Sequence, residues 1–396
     1  MARTSNQPEF TERDLHNWKL LQGFRAQLEQ SQRGFPLHPT FKVSRRRLFL
    51  ADYLSLFLFG LLNPVVRTMR GVCEASRLPR VQEEVCQSTV SLGSFSETQH
   101  AVDPVFLERV FADLAQQLPP VQGDARLGQW QWLAQDSSLF AALPRMSWAL
   151  YGGGNSRNST PSRAIRLHLS LNLLDDKPQR AVVGPGKECE RKVWQEQWQS
   201  GQAYVGDRNY GQNYKLFRKL DNKNCAFVLR LREQQAVINV LEELPLSERD
   251  RQQGVVRQAW AILGSRPRYQ SMRVRLVWIQ TKDGPLILVT NLDPERLSAE
   301  LVSMLYRKRW RIELFFRWIK CILGCRHWLA ESPEGVAIQI YLALIAALLF
   351  QLYTGQRPNK RMMELIQFYL LGVASEEDLL AGLAREKSRR ARQQSQ

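Results

Sequence analysis

The stretch Leu305-Tyr306-Arg307-Lys308-Arg309-Trp310-Arg311-Ile312-Glu313-Leu314-Phe315-Phe316-Arg317-Trp318-Ile319-Lys320 decides how the rest of the chain is read. Its apolar spacing is that of a helix that begins near Ser298. At about 100° per residue, Tyr306, Arg309, Glu313 and Lys320 fall within about 60° of one another and form one polar stripe. Leu305, Ile312, Phe315 and Ile319 occupy a neighbouring face suited to packing on a sheet. Between positions 301 and 330 there are seven Lys or Arg residues and a single carboxylate, Glu313. Such an isolated acid is either an ion-pair partner or a ligand for a divalent metal, with the surrounding cations holding phosphates.

The whole chain repeats that charge bias. Its 396 residues carry 55 Lys and Arg against 38 Asp and Glu, a net charge of +17, with 44% hydrophobic residues. The hydrophobic share excludes a wholly disordered protein, and the positive excess makes a polyanion, nucleic acid first, the partner to expect. A basic enzyme of another kind stays open on charge alone. Six scattered cysteines without a CxxC pair and a polar start fit a reducing cytoplasm. Cys321, Cys325 and His327 lack a nearby fourth ligand and read as ordinary side chains rather than a zinc site. The apolar stretches 48–66 and 336–353 contain Asp52, Asn63, Gln339 and Gln351, and read as buried helices rather than membrane spans. Gly152-Gly153-Gly154 has no following Gly-Lys-Ser/Thr and reads as a loop, not a phosphate cradle.

Working outward, residues 1–47 form a polar, basic segment and residues 48–120 have broken helical spacing. Arg67, Arg70, Arg77 and Arg80 make that region either a DNA-reading module or a plain helical unit with a basic face. Short strands are expected at 130–136, 164–174, 180–183, 202–207 and 225–231, with helices at 188–199 and 214–222, and further strands at 236–241, 273–280 and 286–290. This order indicates a mixed α/β sheet over 121–330, then helices over 331–384 and a disordered basic tail at 385–396.

The stripe Tyr306-x2-Arg309-x3-Glu313-x6-Lys320 resembles the signature of the DDE transposases of bacterial insertion sequences, in the group called IS-four. Tyr204-Val205-Gly206-Asp207-Arg208-Asn209-Tyr210 resembles that family's Asp-Arg-Gly-Tyr segment, where the second catalytic aspartate ends a strand. Val289-Thr290-Asn291-Leu292 resembles the Thr-Asn segment before the glutamate helix. Asn209 stands where glycine is usual, and it is expected to keep the turn because Asn tolerates positive φ. The family's first aspartate is placed at Asp136, in Asp136-Ser137-Ser138 after a strand, in preference to Asp124 or Asp175-Asp176.

The resemblance implies an RNase H-like α/β core with an N-terminal helical region, C-terminal helices and a β-rich insertion at about 233–284. The insertion accounts for the 106-residue separation between Asp207 and Glu313. In relatives the insertion shields the cut end, so Trp260 and Trp278 are candidates for holding a displaced base, with core packing as the alternative. The resemblance further implies Asp136, Asp207 and Glu313 as catalytic ligands of two Mg2+ ions, with Mn2+ as a substitute. Tyr306, Arg309, Lys320, Arg208 and Tyr210 are the expected DNA contacts. The expected activity is cleavage at insertion-sequence ends and strand transfer into target DNA, by a homodimer acting on double-stranded DNA in the cytoplasm, in association with the nucleoid and without a membrane. The alternatives are a catalytically silent, transposase-derived DNA-binding protein and a metal nuclease without strand transfer.

Overall fold

The computed structural model describes residues 19–43, 45–119, 124–152, 162–175, 177–232, 236–265, 270–282, 284–322, 328–356 and 358–394. Among the described residues helices come first: α1 (Lys19–Gln32), α2 (Leu50–Leu62), α3 (Met69–Ala75), α4 (Pro79–Glu84), α5 (Leu92–Thr98) and α6 (Pro104–Gln117). Strands β1 (Gln131–Ala141), β2 (Leu150–Gly152), β3 (Ser162–Asn172) and β4 (Pro178–Pro185) follow, then α7 (Glu190–Glu196), β5 (Gln202–Gly206), α8 (Arg208–Gly211), α9 (Tyr214–Asn222) and β6 (Ala226–Arg230). The next segment holds β7 (Ile238–Leu244), α10 (Glu248–Gln252), β8 (Val255–Leu263), β9 (Val274–Thr281) and β10 (Gly284–Thr290). Helices α11 (Ala299–Lys308), α12 (Trp310–Ile322), α13 (Pro333–Thr354), α14 (Lys360–Leu370) and α15 (Glu376–Gln394) end the chain.

Among the described residues the strands form one sheet in the order β2-β3-β1-β5-β6-β10-β9-β8-β7, with β4 on β3. β3 runs antiparallel to β1 and to β4, whereas β1, β5 and β6 are parallel neighbours. The run β4-β3-β1-β5-β6 is the strand order of an RNase H-like core, a mixed α/β architecture with helices at both ends of the chain. The β-rich segment extends this sheet rather than forming a separate layer, because β10 pairs antiparallel with both β6 and β9.

The pleat sorts the side chains onto two faces. Trp132 and Ala134 of β1, Ala203 and Val205 of β5, and Ala226 and Val228 of β6 join the larger core with Ile312 and Ile319 of α12 and most of α13. Leu133, Tyr204, Phe227 and Leu229 turn the other way, onto Trp194, Tyr210 and Phe217. Asp136 and Asp207 continue the first of these alternations, so both point to the side that α12 covers.

Helices α2 and α13 are the two apolar stretches noted in the sequence. α13 is long and apolar enough to cross a membrane, yet 83% of its apolar window is buried inside the fold, against α2, α6 and α12. Polar side chains find partners there: Gln339 accepts from the Leu329 N–H at 2.9 Å, and the Tyr341 hydroxyl shares its one proton between Glu108 on α6 at 2.7 Å and the Ala181 carbonyl on β4 at 2.9 Å. In α2, buried Asp52 pairs with Arg25 of α1 at 2.7 Å.

Four expectations are corrected. The strand carrying Asp136 does not end there but continues to Ala141, because β3 keeps pairing along its full length. The glutamate helix is broken at Arg309 into α11 and α12. A strand missed by the sequence patterning, β8, fills the space between β7 and β9, where Arg257 and Gln258 interrupt its apolar alternation. The basic end is not a disordered tail: α15 runs to Gln394, with Glu376, Glu377 and Asp378 in its first turn and Arg392 in its last, charges that complement the helix dipole. Buried Glu386 adds ion pairs to Arg389 and Arg390 within α15 and to Arg361 on α14. The Gly153–Gly154 loop, Cys325 and His327 lie outside the described residues.

Replacing Tyr341 by Phe removes both hydroxyl contacts that tie α13 to α6 and β4, and should cost about 1–3 kcal/mol in a urea titration. An unchanged midpoint would show that the hydroxyl does not help lock the helix in place.

Candidate active site

Two parallel strands set the site. Gln131 to Ala134 of β1 lie opposite Gln202 to Val205 of β5, and continuing that register by two residues places Asp136 beside Asp207. Neighbouring strands lie about 4.8 Å apart, so the two aspartates leave the sheet side by side on one face. Gly206 ↔ Leu229 pairing between β5 and β6 puts Arg230 next in the same row.

Asp207 is the N-cap of α8, its carboxylate accepting from the Asn209 N–H at 2.9 Å. Asn209 therefore sits in a right-handed helical turn. The positive φ expected of it does not occur, and among the described non-glycine residues Asn224 alone has one. Two glycines make the turn compact. A Cβ on Gly206 would meet the Tyr210 ring and Leu229, and one on Gly211 would collide with the Arg230 carbonyl.

Across from the aspartates, Glu313 stands in the first turn of α12. The Arg309 guanidinium bridges the acids, with Nη2 2.7 Å from Glu313 Oε1 and Nη1 3.5 Å from Asp136 Oδ2. Arg309 also lies over the Tyr306 ring at 5.6 Å, and Lys320 lies over Phe140 of β1 at 5.6 Å. The stripe is thus folded onto the end of β1. Burial pushes the Asp136 carboxyl from the ordinary 3.8 up to about 7; the negative charges of Glu190 and Asp207 add to the rise, while the Ser137 N–H and Arg309 oppose it. Asp124 and Asp175 are engaged elsewhere, the first with Arg126 and the second in a turn with the Lys177 N–H.

Among the described residues no three His, Cys, Asp or Glu side chains form a ready metal cage, and Arg309 occupies the space between Asp136 and Glu313. The donor set nonetheless fits a hard divalent cation: every donor is a carboxylate oxygen, and Asp136 is held near neutrality by burial beside two further acids.

Of the expected DNA contacts, Arg208 is exposed and lines a cleft of about 410 Å³ with Asp207, Gln212, Arg230 and Arg232. Tyr306, Arg309 and Lys320 are half-buried, Arg309 against the carboxylates, Tyr306 against Arg309 and Lys320 over Phe140. Tyr210 is corrected: it is 1% exposed, and its hydroxyl donates to Glu190 at 2.5 Å, so it is withdrawn from any DNA surface. Sequence reasoning missed Glu190, Arg166 and Arg230. Only Arg230 left a signal, as the residue ending the strand after the Asp207 turn. Asn291 of the Thr-Asn segment has a structural task, donating to Asp221 and the Cys225 carbonyl and accepting from the Phe227 N–H. Trp278 and Trp260 are each stacked by an arginine, Arg257 at 4.6 Å and Arg273 at 4.5 Å.

A family model described as the transposase DDE domain matches residues 133–349. The chain is 26% identical over 209 residues to a protein of Geobacillus stearothermophilus named "Probable transposase for insertion sequence element IS5377", covering 52% of each chain. It is 23% identical over 274 residues to a Synechocystis protein named as a transposase for insertion sequence element IS4SA, covering 67% of this chain and 72% of the relative. A 77-residue segment is 38% identical to "Transposase for insertion sequence element IS421" of Escherichia coli, 19% of this chain and 21% of that one. The chain spans about half the length of the Geobacillus relative and less of the E. coli one. The matched domain covers more than half of the residues and contains Asp136 on β1, Asp207 just after β5 and Glu313 on α12, around an RNase H-like sheet, and the chain belongs to the DDE transposase family.

Proposed function

We propose that this protein is an insertion-sequence transposase of the IS-four group that cuts DNA at the element's ends and transfers the 3′-hydroxyl ends into target DNA. The observation carrying this is the side-by-side exit of Asp136 and Asp207 from parallel strands, with Arg309, at the break between α11 and α12, bridging Asp136 to Glu313 in the first turn of α12. The DDE domain implies divalent-metal dependence in general. Asp136, Asp207 and Glu313 are the residues to hold two Mg2+ ions, or Mn2+ in their place. When bound, these would activate the attacking water or 3′-hydroxyl and stabilise the leaving oxygen.

The chain's own cations do the positioning. Arg208, Arg230 and Arg232 around the cleft beside Asp207 take phosphates of the strand being cut, and Arg309 exchanges a carboxylate for a phosphate when DNA arrives. Lys320 and Tyr306 hold the backbone on the other side of the carboxylates. The N-terminal helices with Arg67, Arg70, Arg77 and Arg80 read the element's ends, and a homodimer brings two ends together.

Glu313→Gln keeps the helix and its cations while removing a metal ligand. It should retain end binding in a gel shift and lower Mg2+-dependent cleavage of the same duplex by at least 100-fold. Unaltered cleavage would leave Glu313 as an ion-pair partner of Arg309. A wild-type protein that binds its ends and never cuts them would be a silent, DNA-binding descendant; cutting without joining would make it a nuclease.

Arg232→Ala should lower the slope of log affinity against log salt by about one unit on unrelated sequences alike, as expected for one lost phosphate contact. A slope equal to wild type would remove Arg232 from the DNA path.

Asp136 also predicts a pH effect. Its folded carboxyl keeps a proton that the unfolded chain gives up between 3.8 and about 7, so metal-free stability falls as pH rises through that interval. Asp136→Asn should therefore stabilise the metal-free protein by on the order of 1–3 kcal/mol at pH 8 and leave it unchanged at pH 3.5. Urea titrations at both pH values check this, and a variant less stable at pH 8 would contradict it.

A further inference from the structure

Glu190 is a half-buried acid that the two-metal reading does not use. It opens α7, where the helix N-terminus favours negative charge, and its side chain is 17% exposed. Its Oε1 accepts from the Tyr210 hydroxyl at 2.5 Å and its Oε2 from the Asn209 side-chain amide at 3.4 Å. Arg166 Nη1 lies 3.9 Å from the same Oε2 and donates at 2.9 Å to Ser137, the residue after Asp136. Trp194, one helical turn after Glu190, packs on the Tyr210 ring with centroids 3.8 Å apart. The ring can sit there only because Gly206 has no side chain.

The contacts run from α7 to both aspartates. Tyr210 and Asn209 belong to the α8 turn that Asp207 caps, and Arg166 reaches the strand of Asp136. We propose that Glu190 is a positioning residue that fixes Asp207 relative to Asp136, by accepting hydrogen bonds from Tyr210 and Asn209 on one side and pairing with Arg166 on the other. It acts on the metal through these partners and not as a ligand. The inference rests on the transposase reading for its metal, and on this chain's own contacts for the rest. Asn209, which replaces the usual glycine of the segment, supplies a hydrogen bond to the clamp that glycine cannot make.

Glu190→Gln keeps an acceptor for Tyr210 and removes the charge; Glu190→Ala and Tyr210→Phe each remove the hydroxyl contact. Two readouts are needed on the full chain: the Mn2+ concentration at half-maximal thermal stabilisation without DNA, and the Mg2+ concentration at half-maximal cleavage of an end duplex. Glu190→Ala and Tyr210→Phe should raise both midpoints by about 10-fold or more, the size usual for a lost outer-shell partner. The double variant should be no worse than Glu190→Ala, and Glu190→Gln should stay within about threefold of wild type. Midpoints unmoved in both Glu190→Ala and Tyr210→Phe overturn the proposal. A Glu190→Gln protein as impaired as Glu190→Ala does so too, since Gln keeps an oxygen acceptor facing both Tyr210 and Arg166, and the charge rather than these contacts would then be the role of Glu190. Should Glu190→Ala fail to fold, Tyr210→Phe and Glu190→Gln decide. Wild-type protein that binds Mn2+ without cleaving would sink the transposase reading and leave the clamp to be judged on thermal stabilisation alone; wild-type protein that is not stabilised by Mn2+ overturns the clamp.

Discussion

The parallel pairing of β1 with β5 is the constraint on which the carboxylate end of the sheet depends. Side-chain direction in a strand alternates, so a slip of one residue would send either Asp136 or Asp207 to the face of Trp194 and Phe217. The buried alternation on both sides of the strands prevents that slip. Trp132 and Ala134 cannot leave one core, and Leu133 and Tyr204 cannot leave the other, without exposing large apolar surface. The placing of the two carboxylates is thus set by hydrophobic residues buried on either side of the sheet.

Charge balance is the second constraint. Three acids meet a helix rich in Lys and Arg, and the resting arrangement resolves this by letting Arg309 reach two of them. Its Nε has no hydrogen-bond partner among the described residues, and burial holds the Asp136 carboxyl up at about 7, so the balance is incomplete. Such incompletely compensated charge lowers the stability of the folded chain, as is common where side chains are arranged for a task other than packing.

Much of this was legible in the sequence, for different physical reasons. The stripe at helical spacing located Glu313 and Arg309 because a helix converts fixed separations into one face. Asp207 was legible because a strand-ending Gly-Asp-Arg segment is local. Asp136 was harder, since strand β1 runs on past it and nothing local marks the functional position. Glu190 was invisible: its meaning arises only when α7 is laid against a turn twenty residues away. Tyr210 was misjudged for a related cause, as a tyrosine three residues after Asp207 looks exposed until the space over Gly206 is known. The basic end was misread because the charges of the last turns outweighed, in sequence, the acidic first turn that caps α15.

The placement of α13 has a consequence for biosynthesis. α2, every residue of which is buried, and α6 present their apolar sides to a helix encoded more than 200 residues later. A nascent or truncated chain ending before Pro333 would leave these faces exposed to water and prone to aggregation. A fragment cut before Pro333 therefore lacks the surface that buries α2 and α6, and the N-terminal helices cannot settle until α13 has been made.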